Sequence, residues 1–480
     1  TMKTIRLKSG SFAALLLLAA FTLGSCEKEE TEPTPTKDII QTAGENASLS
    51  TFVAIVNSAG LTNALKGTGP FTVFAPTNDA FTALLAAIGQ NDPANIPASV
   101  VERILKYHVI SGSAVESKDL TDGQTVGTLL GANDKLTVDI NGTSVKINSA
   151  DVTTADLKAT NGVVHVVDEV LVPALELSIV NTIVEPAYFN KNFSLLTEAV
   201  VKANLLGTLT NPAATLTLFA PDNAAFAAAG ITSVAGLTAA DLAPILTYHV
   251  LGSEVFGNTL PATGSAVTTL GGDFYLSVNT NGAFINGTSK VTAATNAGGA
   301  LDYSNGVVHL INRTLLPPSK NVVEIAVAAS QAAQDAEFGQ LVAALSAVEA
   351  DPAGADLVTA LSGTGPFTVF APTDAAFESL YDLAGVADFD ALVAAVGIPV
   401  VEAVLLYHVV DARVFSTDLP NLTGTTVTTL GGTFELNLGE LTITDTDEAL
   451  GLGSADAGIV ATDILGTNGV IHVINEVILP

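Results

Sequence analysis

Six histidines are the residues whose type and spacing invite chemistry. Three follow a tyrosine, in Tyr107-His108, Tyr248-His249 and Tyr407-His408. The other three sit in NGVVHVVDEVLVP (Asn161 to Pro173), NGVVHLINRTLLP (Asn305 to Pro317) and NGVIHVINEVILP (Asn468 to Pro480). Within a pair the two histidines lie 57, 60 and 64 residues apart. Paired imidazoles could ligate zinc or act as a general base. Zinc catalysis takes three protein ligands, commonly with HExxH on one helical face. No repeat holds a third His or a Cys, and HExxH is absent. No serine recurs beside either histidine in all three copies, and neither GxSxG nor the phosphate loop GxxxxGK[ST] occurs. The acidic run Asp445 to Glu448 lacks the glycine and closing glutamate of a calcium loop. The chain is therefore read as non-enzymatic, without cofactor or metal. His165, between Val164 and Val166, must find a partner in an apolar strand or cost ~1–3 kcal/mol. Both histidine motifs are read as mainly fold-holding, and so are Phe74, Pro76 and Phe81.

The elements that position these histidines repeat with them. GTGPFTVFAPT stands at Gly67 to Thr77 and again at Gly363 to Thr373, with the looser NPAATLTLFAPD at Asn211 to Asp222. In one repeat a helical stretch, Ser50 to Leu65, meets the Gly-Thr-Gly-Pro turn. Phe71 to Phe74 then reads as a strand that Pro76 stops. Thr77 or Asn78 can cap the next helix, as can Asp222 or Asn223 and Thr373 or Asp374. A second helix runs through Val100 to Leu105 into Tyr107-His108, and the rest is strand and turn. Helices first and strands second argue an α+β fold, with a sheet closed over by helices. The joints, Pro173-Ala174 and Pro317 to Lys320, are short and predict a beaded, semi-rigid row.

The chain has 480 residues, of which 48% are hydrophobic and 14% charged, so three ordinary cores can be buried. Against 48 Asp plus Glu stand 18 Lys plus Arg, a formal net of −30. Nucleic-acid affinity comes largely from Lys and Arg displacing counterions, so DNA and RNA are excluded as partners. Lys3, Arg6 and Lys8 precede an apolar run, Phe12 to Gly24, which spans roughly 20 Å as a helix. That is too short for a bilayer and reads as a signal-peptide core over residues 1–25. It ends in Leu23-Gly24-Ser25-Cys26, which resembles the bacterial lipobox. Cys26 is the sole cysteine, so no intrachain disulfide forms, and the lipobox reading makes it the lipidated residue. Residues 26–37, acidic and Pro-containing, read as a tether and resemble the surface-export signal of Bacteroidetes lipoproteins. The expected location is the outer membrane, with either face open and the export-signal resemblance favouring the cell surface, and with membrane contact through the lipid anchor alone.

TVFAPTNDAF, the Tyr-His pair and NGVVHVVDEVLVP, in that order and spacing, resemble the conserved blocks of the fasciclin (FAS1) domain. The resemblance covers residues 38–173, 174–318 and 319–480, three tandem domains. It implies that each is a wedge of β-strands packed with several α-helices, and that the chain is an adhesion protein contacting a protein or glycan ligand. The alternative is an accessory lipoprotein subunit of an outer-membrane complex. In animal members, adhesion is attributed to the Tyr-His region and to an Asp-Ile pair before the second block. Carried over, these positions are Tyr107, His108, Tyr248, His249, Tyr407 and His408, with Asp156-Leu157 and Asp463-Ile464. The second repeat departs, since Leu301-Asp302-Tyr303 inverts the pair.

Overall fold

A computed structural model describes residues 34–260, 264–352, 354–419, 426–437, 440–445 and 456–480. The leader and Cys26 lie outside these residues, as do Thr446 to Glu448 of the acidic run. In the first repeat the strands are β1 (Phe71–Pro76), β2 (Val109–Ser111), β3 (Thr125–Gly127), β4 (Lys135–Asn141), β5 (Ser144–Ile147), β6 (Ala150–Ala159) and β7 (Gly162–Val167). Their spatial order is β2-β1-β7-β6-β5-β4-β3. β1 and β7 run parallel, and the other neighbours are antiparallel. A parallel pair needs a long crossover. The helices Asn78–Ala87 and Ala98–Tyr107 and the strands β2 to β6 supply it. The third repeat has the same seven-strand order. The second has eight strands, because the counterpart of β6 is broken into Ser289–Ala293 and Asp302–Tyr303. The α+β fold expected from the sequence is the fold observed.

Alternation along each central strand divides the side chains between two cores. Val73, Ala75, Val164 and Val166 face the helical layer with Phe52, Val56 and Leu105. Phe74 and Val167 face the other way, onto Ile110, Leu136, Val138 and Ile147. Because β1 is covered on both faces, it reads as a near-continuous apolar run.

Caps explain where the helices start. Thr77 accepts from Ala80 N (3.2 Å), Asp222 from Ala225 N (2.8 Å) and Thr373 from Ala376 N (3.1 Å). Their neighbours reach a different helix. Asn78 accepts from Thr51 N, Asn223 from Leu195 N and Asp374 from Gln340 N, pinning the preceding helical segment of each repeat. The expected helix over Ser50 to Leu65 is two, Ser50–Ser58 and Thr62–Leu65. Gly60 adopts φ +71°, the left-handed conformation that ends a helix.

The two joints differ, and only the second resembles a joint between beads. Pro173 leads straight into the helix Ala174–Ile179, and the helical cores of the first two repeats merge into one apolar cluster. At this junction Glu176, fully buried, accepts from Arg103 Nε at 2.6 Å and from the Tyr188 hydroxyl at 3.1 Å. The third repeat keeps its own core. It meets the second through polar groups: Arg413 lies over the Tyr275 ring at 4.2 Å, Asn279 donates to Thr417 O, and Ser277 donates to Asp418. Arg103→Ala strands the buried Glu176 carboxylate and is expected to cost about 3 kcal/mol at the first joint. Calorimetry should show the first two domains losing their common transition, and Arg103→Met with Glu176→Leu should recover most of it.

Candidate functional site

The two repeated sequence blocks are neighbours in space. In the parallel pair Phe74 stands opposite His165, and the same register sets Phe219 against His309 and Phe370 against His472. Each phenylalanine packs on its histidine ring, with centroids 5.2–5.5 Å apart. His165 Nε2 donates to Val115 O (2.9 Å), and its Nδ1 accepts from Asp156 N (3.3 Å). His309 does the same with Val255 O and Thr295 N, and His472 with Val414 O and Asp463 N.

The Tyr-His histidines work between different elements by the same logic. His108 Nδ1 donates to Ile104 O (2.7 Å), and Nε2 accepts from Leu171 N (2.9 Å). The helix end is thereby tied to the segment that closes the domain. His249 bridges Ile245 O and Leu315 N, and His408 bridges Val404 O and Ile478 N. Each ring is thus a neutral imidazole with one donor and one acceptor nitrogen, both engaged. Burial pushes His108 and His249 down to about 4, and it lowers His165, His309 and His472 as well. The tyrosines are equally committed: the Tyr107, Tyr248 and Tyr407 hydroxyls donate to Lys135 O, Asp273 O and Thr433 O. Tyr107, His108, Tyr248, His249, Tyr407 and His408 are all buried.

Asp156 and Asp463 sit where β6 and its third-repeat counterpart shift register, at φ +61° and +64°. The Asp156 carboxylate accepts the Ser117 amide (2.7 Å) and hydroxyl, and Asp463 takes the Ser416 amide (2.8 Å) and hydroxyl. Burial would push the Asp156 carboxyl up, but the bonds from Ser117 outweigh it and hold the group below its ordinary value. Leu157 and Ile464 pair with Val164 and Ile471 and pack, partly buried, on the helical cores. Asp156 and Leu157 are half-buried, whereas Asp463 is buried against Gly287 of the second domain. In the second repeat Asn296 takes the loop amide of Asn258 in place of that aspartate.

Sequence reasoning passed over two polar positions that the structure makes central. Asn161 accepts from Ile39 N (3.0 Å) and donates to Leu65 O and Gly67 O (2.8 Å each). Asn305 and Asn468 repeat this stitch with Ile183, Leu209 and Asn211, and with Val322, Leu361 and Gly363. Thr72, Thr217 and Thr368, buried in the central strands, donate to Ser113 O, Ser253 O and Ala412 O. Their recurrence at one place in each repeat was the available signal. Among the described residues no cluster of three His, Cys, Asp or Glu side chains could hold a metal ion.

Three sheets of one strand order, the second with its β6 counterpart broken in two, each closed by the same histidine and asparagine ties, define a scaffold of three tandem domains. The Fasciclin domain model matches residues 47–173, 191–317 and 338–480, and the chain belongs to that family. It is 41% identical to protein sll1483 of Synechocystis over 137 residues, 28% of this chain and 74% of that one. It is 27% identical to transforming growth factor-beta-induced protein ig-h3 of Sus scrofa and 26% identical to human periostin. These alignments cover 83% and 88% of this chain, which spans about half the length of either relative (53% and 45%). Among solved structures, a FAS1 domain pair from the insect cell adhesion molecule fasciclin I matches at 17% identity and TM-score 0.27. That match covers 60% of this chain and 92% of the pair.

Proposed function

We propose that the chain is a non-enzymatic adhesion protein of the bacterial envelope, anchored through an acylated Cys26 and exposed at the cell surface. It contacts a protein or glycan ligand through its tandem domains. The observation that carries this reading is the commitment of the histidine nitrogens to partners within the fold. No imidazole lone pair is left to take a substrate proton or a metal. Family membership supports the adhesive half. Within this reading the Tyr-His pairs and Ile464 shape the contact surface from beneath, Asp156 and Leu157 stand where a ligand can reach them, and Asp463 lines the cleft between the second and third domains. Linked modules of weak affinity gain ~100-fold or more in avidity without any new contact.

The test is made on cells. Antibody should label intact cells and protease should shave the protein from them, and deletion of the gene should release cells from surfaces they normally hold. A protein that resists shaving, and co-purifies with one stoichiometric envelope partner, would instead be the accessory subunit of an outer-membrane complex.

A further inference from the structure

We infer that the cleft between the second and third domains is a binding site for a neutral hexopyranose unit of a polysaccharide. The inference deepens the adhesive reading and rests on it. The cleft holds about 310 Å³ and is lined by Arg313, Thr314 and Thr288 from one domain and by Asp463 from the other. That size lies at the lower end of small-ligand sites, about 300–1,000 Å³.

The repeats themselves single out two of its residues. In the closing motif the first and third copies read Glu169-Val170 and Glu476-Val477, where the second reads Arg313-Thr314. Val170, Thr314 and Val477 are all buried, yet only the threonine carries a hydroxyl. Thr314 Oγ1 has no hydrogen-bond partner among the described residues. A buried hydroxyl without a partner is destabilising relative to the valine used twice elsewhere. A fold-only role therefore does not explain the change, whereas a ligand hydroxyl does. Beside it, an arginine replaces a glutamate in a chain with 18 basic and 48 acidic residues. Arg313 spends one N–H, from Nη2, on Ala228 O at 3.3 Å, and a guanidinium has five.

The third domain supplies the acceptor. Asp463 enters beside Gly287, where a Cβ would lie 2.5 Å from the carboxyl carbon. Its oxygens take the two Ser416 bonds, and an ionised carboxylate has about four acceptor sites. One cation and one anion leave the cleft close to neutral. A phosphate or uronate would face Asp463 and a surface of net −30, and a free cation would face Arg313. A neutral sugar suits both, since one hydroxyl can donate to Asp463 while another accepts from Arg313 and Thr314. Ala228, Ala229 and Leu315 offer apolar wall to the C–H face of the ring.

The test uses the full mature chain, titrated calorimetrically with glucose, galactose and mannose and then applied to an array of neutral, uronate and sulfated glycans. At least one neutral hexose should bind with Kd on the order of 1 mM, and anionic glycans should bind more weakly. Thr314→Val, which restores the residue of the other repeats, should raise Tm or leave it unchanged while weakening hexose binding at least tenfold. Arg313→Gln should weaken it similarly. Failure of every neutral hexose to bind, binding unchanged in both variants, or preference for uronates or sulfated glycans would overturn the site. Surface adhesion that persists in the wild type without hexose binding would sink this inference and leave the adhesive reading standing. Loss of both would sink the adhesive reading as well.

Discussion

Asn161→Ala is expected to unfold the first domain under conditions where the third stays folded. The side chain is buried and makes three hydrogen bonds with backbone groups far away in sequence: Ile39 N, Leu65 O and Gly67 O. Alanine leaves one donor and two acceptors unpaired beside the central strand. At ~1–3 kcal/mol for each buried group, less whatever water recovers near Gly67, the loss is about 3–5 kcal/mol. A domain holds only ~5–15 kcal/mol in total. The first two domains share one helical core, so the damage should spread to the second and spare the third. Urea titration followed by circular dichroism should show an early transition that splits from a late one at the wild-type midpoint. Asn161→Asp should be no better than alanine, because a carboxylate keeps the bond from Ile39 N but faces two carbonyl oxygens as an acceptor. A midpoint within error of wild type for Asn161→Ala would show that the stitch is not what ties the opening helix to the sheet.

The difference between what the sequence disclosed and what it hid follows from the reach of each interaction. Repeats, caps and strands are local. The helix caps at Thr77, Asp222 and Thr373 needed only the next three residues to be recognised. The family likewise rested on short blocks, and Phe74 was legible as core because it belongs to a short, nearly continuous apolar strand. Asn161 was not legible as a stitch, since its partners lie 94 to 122 residues away. The histidines were recognised as fold-holding, yet their partners could not be named, because backbone carbonyls leave no mark in a sequence. The first joint was misjudged for a related reason. Pro173-Ala174 looks like a short joint between separate beads until Glu176, two residues on, is found buried against Arg103 of the preceding domain. Asp156 and Asp463 look alike in sequence, but one is half-buried and the other closed in by Gly287 of the neighbouring domain.

Acidification should weaken this chain in a window where few carboxylates titrate. Adding a proton to Nε2 of His108 would set an N–H against the Leu171 N–H it now accepts from, with Nδ1 already donating to Ile104 O. Burial therefore holds His108 and His249 at about 4 in the folded chain, whereas an unfolded histidine titrates near ~6.5. The folded value is the lower one, so between 6.5 and 4 the unfolded state binds more protons and stability falls as pH falls. The contribution is complete above about 6.5. It declines by roughly 1 kcal/mol per histidine at pH 5.5, and by about 3 kcal/mol at pH 4. His165, His309 and His472 are displaced in the same direction and add to the slope. Most Asp and Glu side chains stay ionised above pH 5.5, so urea midpoints measured from pH 7.5 to 5.5 isolate the histidines. The midpoint should drop steadily across that range, and His108→Gln, less stable at pH 7.5, should show a shallower drop. A flat profile would mean that these imidazoles take up protons as freely in the folded chain as in the unfolded one. That would break the link between their fixed tautomers and their role as ties, and with it the main ground for calling the protein non-enzymatic.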